Sequence, residues 1–255
     1  MRKYRKPHRI KRKKSILKSR FLWSAIFALV LVGAGFYFFV FSEFFQVRDL
    51  IITGPEKVVS GDIESAIKRE LDKSIFLVNP GKIREVVLQK FPQIKELEIK
   101  RRLPNILNLA LAERKEVGVF CQGQRCFLLD GQGVMFEEFT GETSLPKLQN
   151  TTLRKELVLR ESAFDKDTLE RVLEINTKLK ANLGIFPEEL SLVSEERLNV
   201  ITSEGWQVYF SIKRNVDWQI ASLATILEKR IPPEKRKNLE YIDLRFDKIF
   251  VYPEI

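Results

Sequence analysis

The chain has 255 residues, 44% of them hydrophobic, and a formal charge of +10 at pH 7. An excess of this size is typical of nucleic-acid-binding proteins. However, eleven Lys and Arg lie within residues 1–20, which leaves 33 Lys and Arg against 34 Asp and Glu elsewhere. Most of the chain is therefore nearly neutral, and we expect no nucleic-acid partner.

Residues 21–41 are an apolar run without one charged side chain. A helix of this length rises about 31 Å, close to the thickness of a bilayer core. A cleavable signal peptide has a shorter apolar part, of about 7–15 residues, and then a small-residue cleavage site. A helix that is apolar all round is rare in soluble proteins. We therefore predict a single membrane-spanning helix.

The charges on the two sides of this run predict its orientation. Residues 1–20 contain no acid, and basic flanks stay in the cytoplasm. We expect a basic cytoplasmic tail at 1–20 and residues 42–255 outside the cytoplasmic, or inner, membrane. A docking peptide for a cytoplasmic partner is the alternative for the tail, but its charge already explains its composition.

Cys121 and Cys126 flank a short loop that contains glycine. Apolar neighbours on both sides predict a β-hairpin with the two cysteines near opposite positions. In an oxidising compartment they form a disulfide if the cross-strand geometry suits it; otherwise they are two reduced, half-buried residues. Zinc needs two further ligands, and His8 lies across the membrane, so we expect no metal.

The first exported stretch predicts the order β-α-α-β-β. Residues 45–54 form a strand, and a helix follows with Ser60 as its cap. Asn79-Pro80 begins a second helix. Two alternating runs, Ile94–Lys100 and the segment containing Leu107, Leu109 and Leu111, are strands. This is the layout of a POTRA module.

Several short motifs follow the apolar run in a definite order. They are Phe45-Gln46-Val47, Ile52-Thr53-Gly54, Lys100-Arg101-Arg102-Leu103-Pro104-Asn105 and Glu113-Arg114. Together they resemble the motifs of the FtsQ/DivIB cell-division proteins. Each motif is weak alone, but their order and spacing match the family. Further on, Tyr241-Ile242-Asp243-Leu244-Arg245-Phe246 is similar to the family's Asp-Leu-Arg signature near the C-terminus.

Short strands and turns dominate the second exported stretch. Asp130-Gly131-Gln132-Gly133 lacks the Lys-Ser/Thr of a phosphate loop, so we predict a tight hairpin turn. Residues 167–183 and 217–230 are amphipathic helices. In the second of these, the residues expected to face the core are Trp218, Leu223, Ile226 and Leu227.

Together these elements predict an α+β protein. A single transmembrane helix (21–41) precedes a POTRA domain (44–115) and a second, mostly antiparallel β domain with packed helices (116–255).

We expect no catalysis, no cofactor and no small-molecule substrate. The exported part contains no histidine, so Ser-His-Asp and Cys-His arrangements are excluded. A carboxylate pair for glycoside hydrolysis is the remaining option. The candidate acidic pairs border helices or turns, where acids act as caps and solvated residues: Asp165/Asp167, Glu188/Glu189 and Glu195/Glu196.

A binding site is expected at the last strand. If Ile249 and Val251 point to the core, Phe250 and Tyr252 point away from it, at a sheet edge where a partner strand can add. The alternative is that both rings pack under a loop. The resemblance implies that this region docks FtsB/DivIC, a small bitopic protein paired with FtsL. The residues expected to bind are Tyr241, Arg245, Phe246, Lys248, Phe250 and Tyr252.

The function we expect is that of a single-pass scaffold of the bacterial divisome, concentrated at the division septum. It would collect FtsB/DivIC-like and FtsL-like proteins and link them to septal cell-wall synthesis. The alternatives are a membrane-tethered POTRA adaptor for protein export or outer-membrane assembly, and a membrane-anchored wall hydrolase. The resemblance also links the strand at 45–53 to recruitment to the division site.

Overall fold

The structure is a computed structural model that describes residues 20–154 and 156–253. It begins with helix α1, Arg20–Phe41, none of whose residues is buried. Among the described residues, this is the one helix long and apolar enough to cross a membrane. It fits the single span predicted from the sequence. The predicted basic tail lies outside the described residues, except for Arg20.

The described chain forms two compact units. The first contains the chain up to Thr53, Val59–Val87 and Glu98–Ala110, and the second contains the remaining segments. The domain limits 44–115 and 116–255 stay predictions.

A small three-stranded sheet and two helices follow α1. In chain order the elements are β1 (Asp49–Thr53), α2 (Ser60–Leu71), α3 (Pro80–Lys90), β2 (Ile94–Arg102) and β3 (Ile106–Glu113). Strand β3 lies between β1 and β2, and it runs parallel to β1. The predicted β-α-α-β-β order is therefore confirmed.

Two local predictions in this region are wrong. Helix α2 has Val59 at its N-cap with no side-chain cap, and Ser60 is already the first helical residue. The strand expected from residue 45 begins at Asp49, because Glu43–Phe45 form a short 3-10 helix. Phe45 turns inward there and is 9% exposed, so its apolar character reflects burial rather than strand pairing.

Glu70 on α2 is a buried carboxylate with two lysine partners. Its oxygens lie 2.7 Å from Lys73 Nζ and 2.8 Å from Lys82 Nζ. The hydrogen bond from Lys73, and then that from Lys82, lowers the pKa of Glu70, although burial opposes the shift. A carboxyl whose pKa is lower in the folded state stabilises the fold above its unfolded pKa, about 4.3 for glutamate.

We expect the Glu70→Gln variant to be less stable than wild type at pH 7. The difference should shrink as the pH falls from about 4.3 through the folded pKa of Glu70, because wild type then loses the same stabilisation. Urea unfolding of the full chain in detergent between pH 3 and pH 7 measures this, with exposed Glu64→Gln as the matched control on the same helix. Parallel pH profiles for wild type and Glu70→Gln would contradict the assignment.

The second unit is built on a large sheet. Its strands are β4 (Glu116–Gln122), β5 (Arg125–Asp130), β6 (Met135–Phe139), β7 (Lys147–Asn150), β8 (Pro187–Leu192), β9 (Arg197–Thr202), β10 (Gln207–Ser211), β11 (Tyr241–Asp243) and β12 (Phe250–Tyr252). Within the described residues they form nine strands in the order β12-β11-β10-β9-β8-β7-β4-β5-β6.

Three neighbouring pairs in this sheet are parallel, namely β4/β7, β7/β8 and β10/β11. The other five pairs are antiparallel. The predicted mostly antiparallel domain is confirmed, whereas strand β7 was not predicted.

Helices α4 (Lys166–Leu183) and α5 (Val216–Lys229) pack with this sheet into one hydrophobic core. Asp165 Oδ1 accepts a hydrogen bond from Thr168 N at 2.9 Å and so caps α4. The core contains the fully buried ring of Trp206 and the apolar side chains of both helices. The placement of Trp218 in this core is wrong: its side chain is 38% exposed, and the Arg214 guanidinium lies 5.1 Å from its ring.

The turn between β5 and β6, residues 130–133, is the predicted tight turn. Asp130 Oδ1 accepts hydrogen bonds from Gln132 N at 2.9 Å and Val134 N at 3.0 Å. Its other carboxylate oxygen pairs with the Arg114 guanidinium, and Asp130 is only 3% exposed. One buried acid thus holds the turn and neutralises a half-buried arginine.

Strands β4 and β5 form the predicted cysteine hairpin. Cys121 and Cys126 are direct partners in the strand register. The structure joins them by a disulfide.

Candidate functional site

The site begins at the free edge of the large sheet, which is strand β12. It pairs with β11 in antiparallel register, and among the described residues no strand lies on its other side. Strand alternation sends one set of side chains to the core and the next set outward. Those turned inward are Ile242, Leu244, Ile249 and Val251. The rings of Phe250 and Tyr252 are 45% and 51% exposed, as expected for outward positions.

Three tyrosines on neighbouring strands stack beside this edge. The ring of Tyr241 lies 4.9 Å from that of Tyr209 and 5.5 Å from that of Tyr252, and both pairs are close to parallel. The Arg197 guanidinium lies 4.2 Å from the Tyr209 ring. The result is a row of aromatic faces that leads across the sheet to its open edge.

A second aromatic group lies on the turn between β11 and β12. The Phe246 and Phe250 rings meet edge to face, with centroids 6.3 Å apart. Lys248 Nζ lies 5.5 Å from the Phe250 ring, and the Arg245 guanidinium lies 5.1 Å from the Phe246 ring. Cation–π contacts of this kind attract the cation to the face of the ring, by about 0.5–1 kcal/mol at exposed sites.

Arg245 is held in place by Asp243. Its Nε and Nη2 donate to the two carboxylate oxygens at 2.9 and 2.6 Å, and its backbone N donates to Oδ1 at 3.0 Å. The hydrogen bond to Asp243 raises the pKa of Arg245. A bidentate pair of this kind fixes the orientation of the guanidinium. Its aromatic neighbours therefore meet a preorganised cation.

The structure therefore brings all six predicted binding residues together around one edge. It adds neighbours that the sequence reasoning missed, namely Arg197, Tyr209, Arg214 and Asp247. Arg214 pairs with Asp247 and donates to the Arg245 carbonyl at 3.4 Å, so it secures the turn. The outward position of Tyr209 in an alternating strand was a usable signal, but its partner across β11 could not be identified without the sheet order.

In each acidic pair, at least one member makes a structural contact. Asp165 caps α4, and its hydrogen bonds from Thr168 lower its pKa. Glu189 accepts from Gln149 Nε2 at 2.7 Å, and Glu196 pairs with Lys213. The expectation that every pair borders a helix or a turn is wrong for Glu188 and Glu189, which lie within β8. In the part of the chain that the structure describes, no group of three or more His, Cys, Asp and Glu could hold a metal ion.

Two family models match the chain. The model of the FtsQ-type POTRA domain matches residues 45–114, and that of the C-terminal domain of the cell division protein FtsQ/DivIB matches residues 119–245. The chain belongs to the FtsQ/DivIB family. Membership confirms the predicted family, which is one of cell-division proteins, and the predicted POTRA-containing fold.

Individual relatives agree with this membership. DivIB of Clostridium acetobutylicum is 26% identical over 136 residues, 52% of this chain and 54% of the relative, so the chain spans about half the length of that relative. FtsQ of Burkholderia pseudomallei is 26% identical over 228 residues, which cover 87% of this chain and 85% of the relative.

Among solved structures, the major extracytoplasmic domain of the trans isomer of DivIB from Geobacillus stearothermophilus is similar at 19% identity. The match covers 48% of this chain and 99% of the other, with a TM-score of 0.29, and a likeness of that size carries no argument.

Proposed function

We propose that this FtsQ/DivIB protein is a non-catalytic, single-pass scaffold of the division machinery. Its exported part binds bitopic partners of the FtsB/DivIC and FtsL type and links them to septal cell-wall synthesis. Helix α1 anchors it in the cytoplasmic membrane, with residues 1–20 inside and residues 42–255 outside, and the protein collects at the septum.

The observation that carries this proposal is the open edge of β12. An edge strand has unpaired backbone donors and acceptors, so an extended segment of another protein can add to it as a further strand. Phe250 and Tyr252 are the outward side chains of that strand, and Tyr241 is stacked on Tyr252. Aromatic rings are enriched among residues that dominate binding energies. The edge thus combines a backbone template with aromatic anchors.

Three features support the proposed placement. Helix α1 has the length and composition of a span, and the eleven basic residues at 1–20 favour a cytoplasmic N-terminus. The disulfide of the β4/β5 hairpin suits an oxidising compartment outside the cytoplasm.

The proposed absence of catalysis is supported by the lack of histidine after His8 and by the structural contacts of the acidic pairs.

The test is binding of the full chain, held in lipid nanodiscs, to the exported segment of the host's FtsB/DivIC homologue. We expect Phe250→Asp to weaken binding by about 2 kcal/mol, roughly 30-fold in Kd, because a desolvated charge opposes strand addition. Phe186→Asp is the matched control, since Phe186 is also an exposed phenylalanine of the second unit. Calorimetry gives the affinities, and circular dichroism checks that each variant is folded.

Specific binding that Phe250→Asp weakens and Phe186→Asp leaves intact would support both the scaffold and its site. Equal binding by all three proteins would move the site away from β12. No binding by wild type would contradict the scaffold function and favour the export adaptor.

A further inference from the structure

The part of the first unit that follows α1 contacts the end of this helix directly. Ile75 N donates to the Phe45 carbonyl at 2.7 Å, and Ser74 Oγ donates to the Phe39 carbonyl of α1 at 3.2 Å. The Phe39 ring lies 5.1 Å from that of Phe45 and 6.0 Å from that of Phe76. The loop between α2 and α3 therefore packs on the last turn of the helix.

The turn between β2 and β3 lies at the same end of the unit. Arg48, three residues after the end of the short 3-10 helix, donates its backbone N–H to the Asn105 carbonyl at 3.0 Å. Arg101 Nη2, near the end of β2, donates to the Val78 carbonyl at 2.7 Å and so joins this strand end to the α2–α3 loop. Because β1 and β3 are parallel, both start at this end, with Asp49 opposite Ile106.

Exposed apolar side chains gather at this end of the unit. We call them the span-proximal rim: Phe44, Phe76, Leu77 and Leu103, which are 59%, 42%, 52% and 60% exposed. The exposed cations at this end are Arg48, Arg101 and Arg102, and the exposed acids are Glu43, Asp49 and Asp72. Contact with water does not stabilise such a cluster of apolar side chains, and exposed apolar patches are typical of interaction sites.

We propose that the span-proximal rim inserts into the surface of the lipid bilayer that α1 crosses, on the side where α1 ends. The inference rests on α1 spanning the membrane, as proposed above. The exposed rings of Phe38 and Phe41 on the last turn of α1 lie in or next to hydrocarbon if α1 spans. Phe76 touches Phe39 of the same turn, so it lies at the membrane surface.

The chemistry of the rim fits an interface. Apolar side chains of peripheral segments enter the boundary between headgroups and acyl chains by about 5–10 Å, while neighbouring basic residues meet lipid phosphates. Phe and Leu form the apolar part here, and the three arginines border it. The bilayer thus holds the first unit against its surface, in addition to the covalent link through Ser42–Arg48.

The test places a nitroxide on single cysteines of the full chain in nanodiscs made of phosphatidylethanolamine and phosphatidylglycerol, with the native cysteine pair oxidised. Leu77→Cys reports on the rim. Val30→Cys reports on the middle of α1, and Val59→Cys is the matched control. Val59 is 65% exposed and lies at the other end of α2, whose twelve residues span about 18 Å. Each label's collisions with oxygen, which concentrates in lipid, and with a water-soluble nickel complex are measured.

We expect the label at position 77 to lose nickel accessibility and gain oxygen accessibility relative to the label at position 59, while remaining less protected than the label at position 30. Equal nickel accessibility at positions 77 and 59, with position 30 protected, would overturn the rim's insertion and leave the span intact. An unprotected label at position 30 would overturn the span itself. The nanodiscs contain no other division protein, so protection at position 77 is not due to such a partner.

Discussion

Replacement of Asp130 by alanine is expected to lower the free energy of unfolding of the second unit by about 3–5 kcal/mol, the range for breaking a buried ion pair on one side. The change leaves the Arg114 guanidinium without its carboxylate partner, and the Arg114 side chain is only 15% exposed. It also removes the acceptor of two backbone N–H groups in the turn, those of Gln132 and Val134. Urea unfolding of the full chain in detergent, followed by circular dichroism and tryptophan emission, measures the loss.

The matched control is an ion pair on the surface of the same sheet. Glu138 pairs with Arg125 at 2.7 Å, but the two side chains are 61% and 50% exposed. Exposed pairs contribute little to stability because water screens them, so Glu138→Ala should leave the unfolding midpoint almost unchanged. Asp130→Asn keeps an oxygen acceptor for the turn and should recover part of the loss. Similar midpoints for Asp130→Ala and Glu138→Ala would show that the buried pair does not stabilise the unit.

Replacement of Gly133 by alanine should be comparably damaging, for a steric reason. Gly133 has φ of 80°, and a Cβ at this position would lie 2.2 Å from the Phe164 carbonyl oxygen. A side chain in this backbone region costs roughly 1–3 kcal/mol, and the clash is with main chain, which cannot rotate away. We therefore expect a total loss of about 3 kcal/mol or more, measured in the same urea experiment.

Gly131, two residues earlier in the same turn, is the control for this substitution. The nearest atom to a Cβ there is Val117 Cγ1 at 4.0 Å, and the backbone is in an ordinary conformation. Gly131→Ala should therefore change stability by no more than about 0.5 kcal/mol. If neither variant folds well enough for urea unfolding, the two are compared by their resistance to proteolysis during expression. The measured quantity is the amount of intact chain of each variant. Equal behaviour of the two alanine variants would refute the close approach of Gly133 to Phe164.

Most of the local structure could be predicted from the sequence because it depends on near neighbours. The apolar run, the Asn79-Pro80 helix start and the turn at 130–133 each carry their signal within a few residues. The prediction that Ser60 caps α2 was wrong. Serine often caps helices, but this helix begins one residue earlier than expected, at Ser60 itself. The prediction that Trp218 faces the core was wrong because helical spacing places it only at the boundary of the core. Arg214, which precedes the helix, lies over its exposed ring.

Features that depend on pairing between distant parts of the chain could not be predicted from the sequence. Strand β7 pairs with β4 and β8 in parallel, across long stretches of chain, and its own four residues carry no clear alternation. The partner of Asp130 lies sixteen residues away, in Arg114. At the candidate site, the outward direction of Phe250 follows from alternation within one strand. The row of tyrosines, by contrast, requires knowledge that β10, β11 and β12 are neighbours.

The order in which the strands are synthesised differs from the time at which they can pair in the large sheet. Strand β11 pairs with β10 only after about 30 further residues have been made, because β10 ends at Ser211 and β11 starts at Tyr241. At about 5–20 residues per second, that interval lasts roughly 2–6 s. During it, the growing chain presents β10 as a temporary sheet edge with which a nearby strand can pair. A newly made molecule therefore passes through a period in which a neighbour's segment competes with its own last strands.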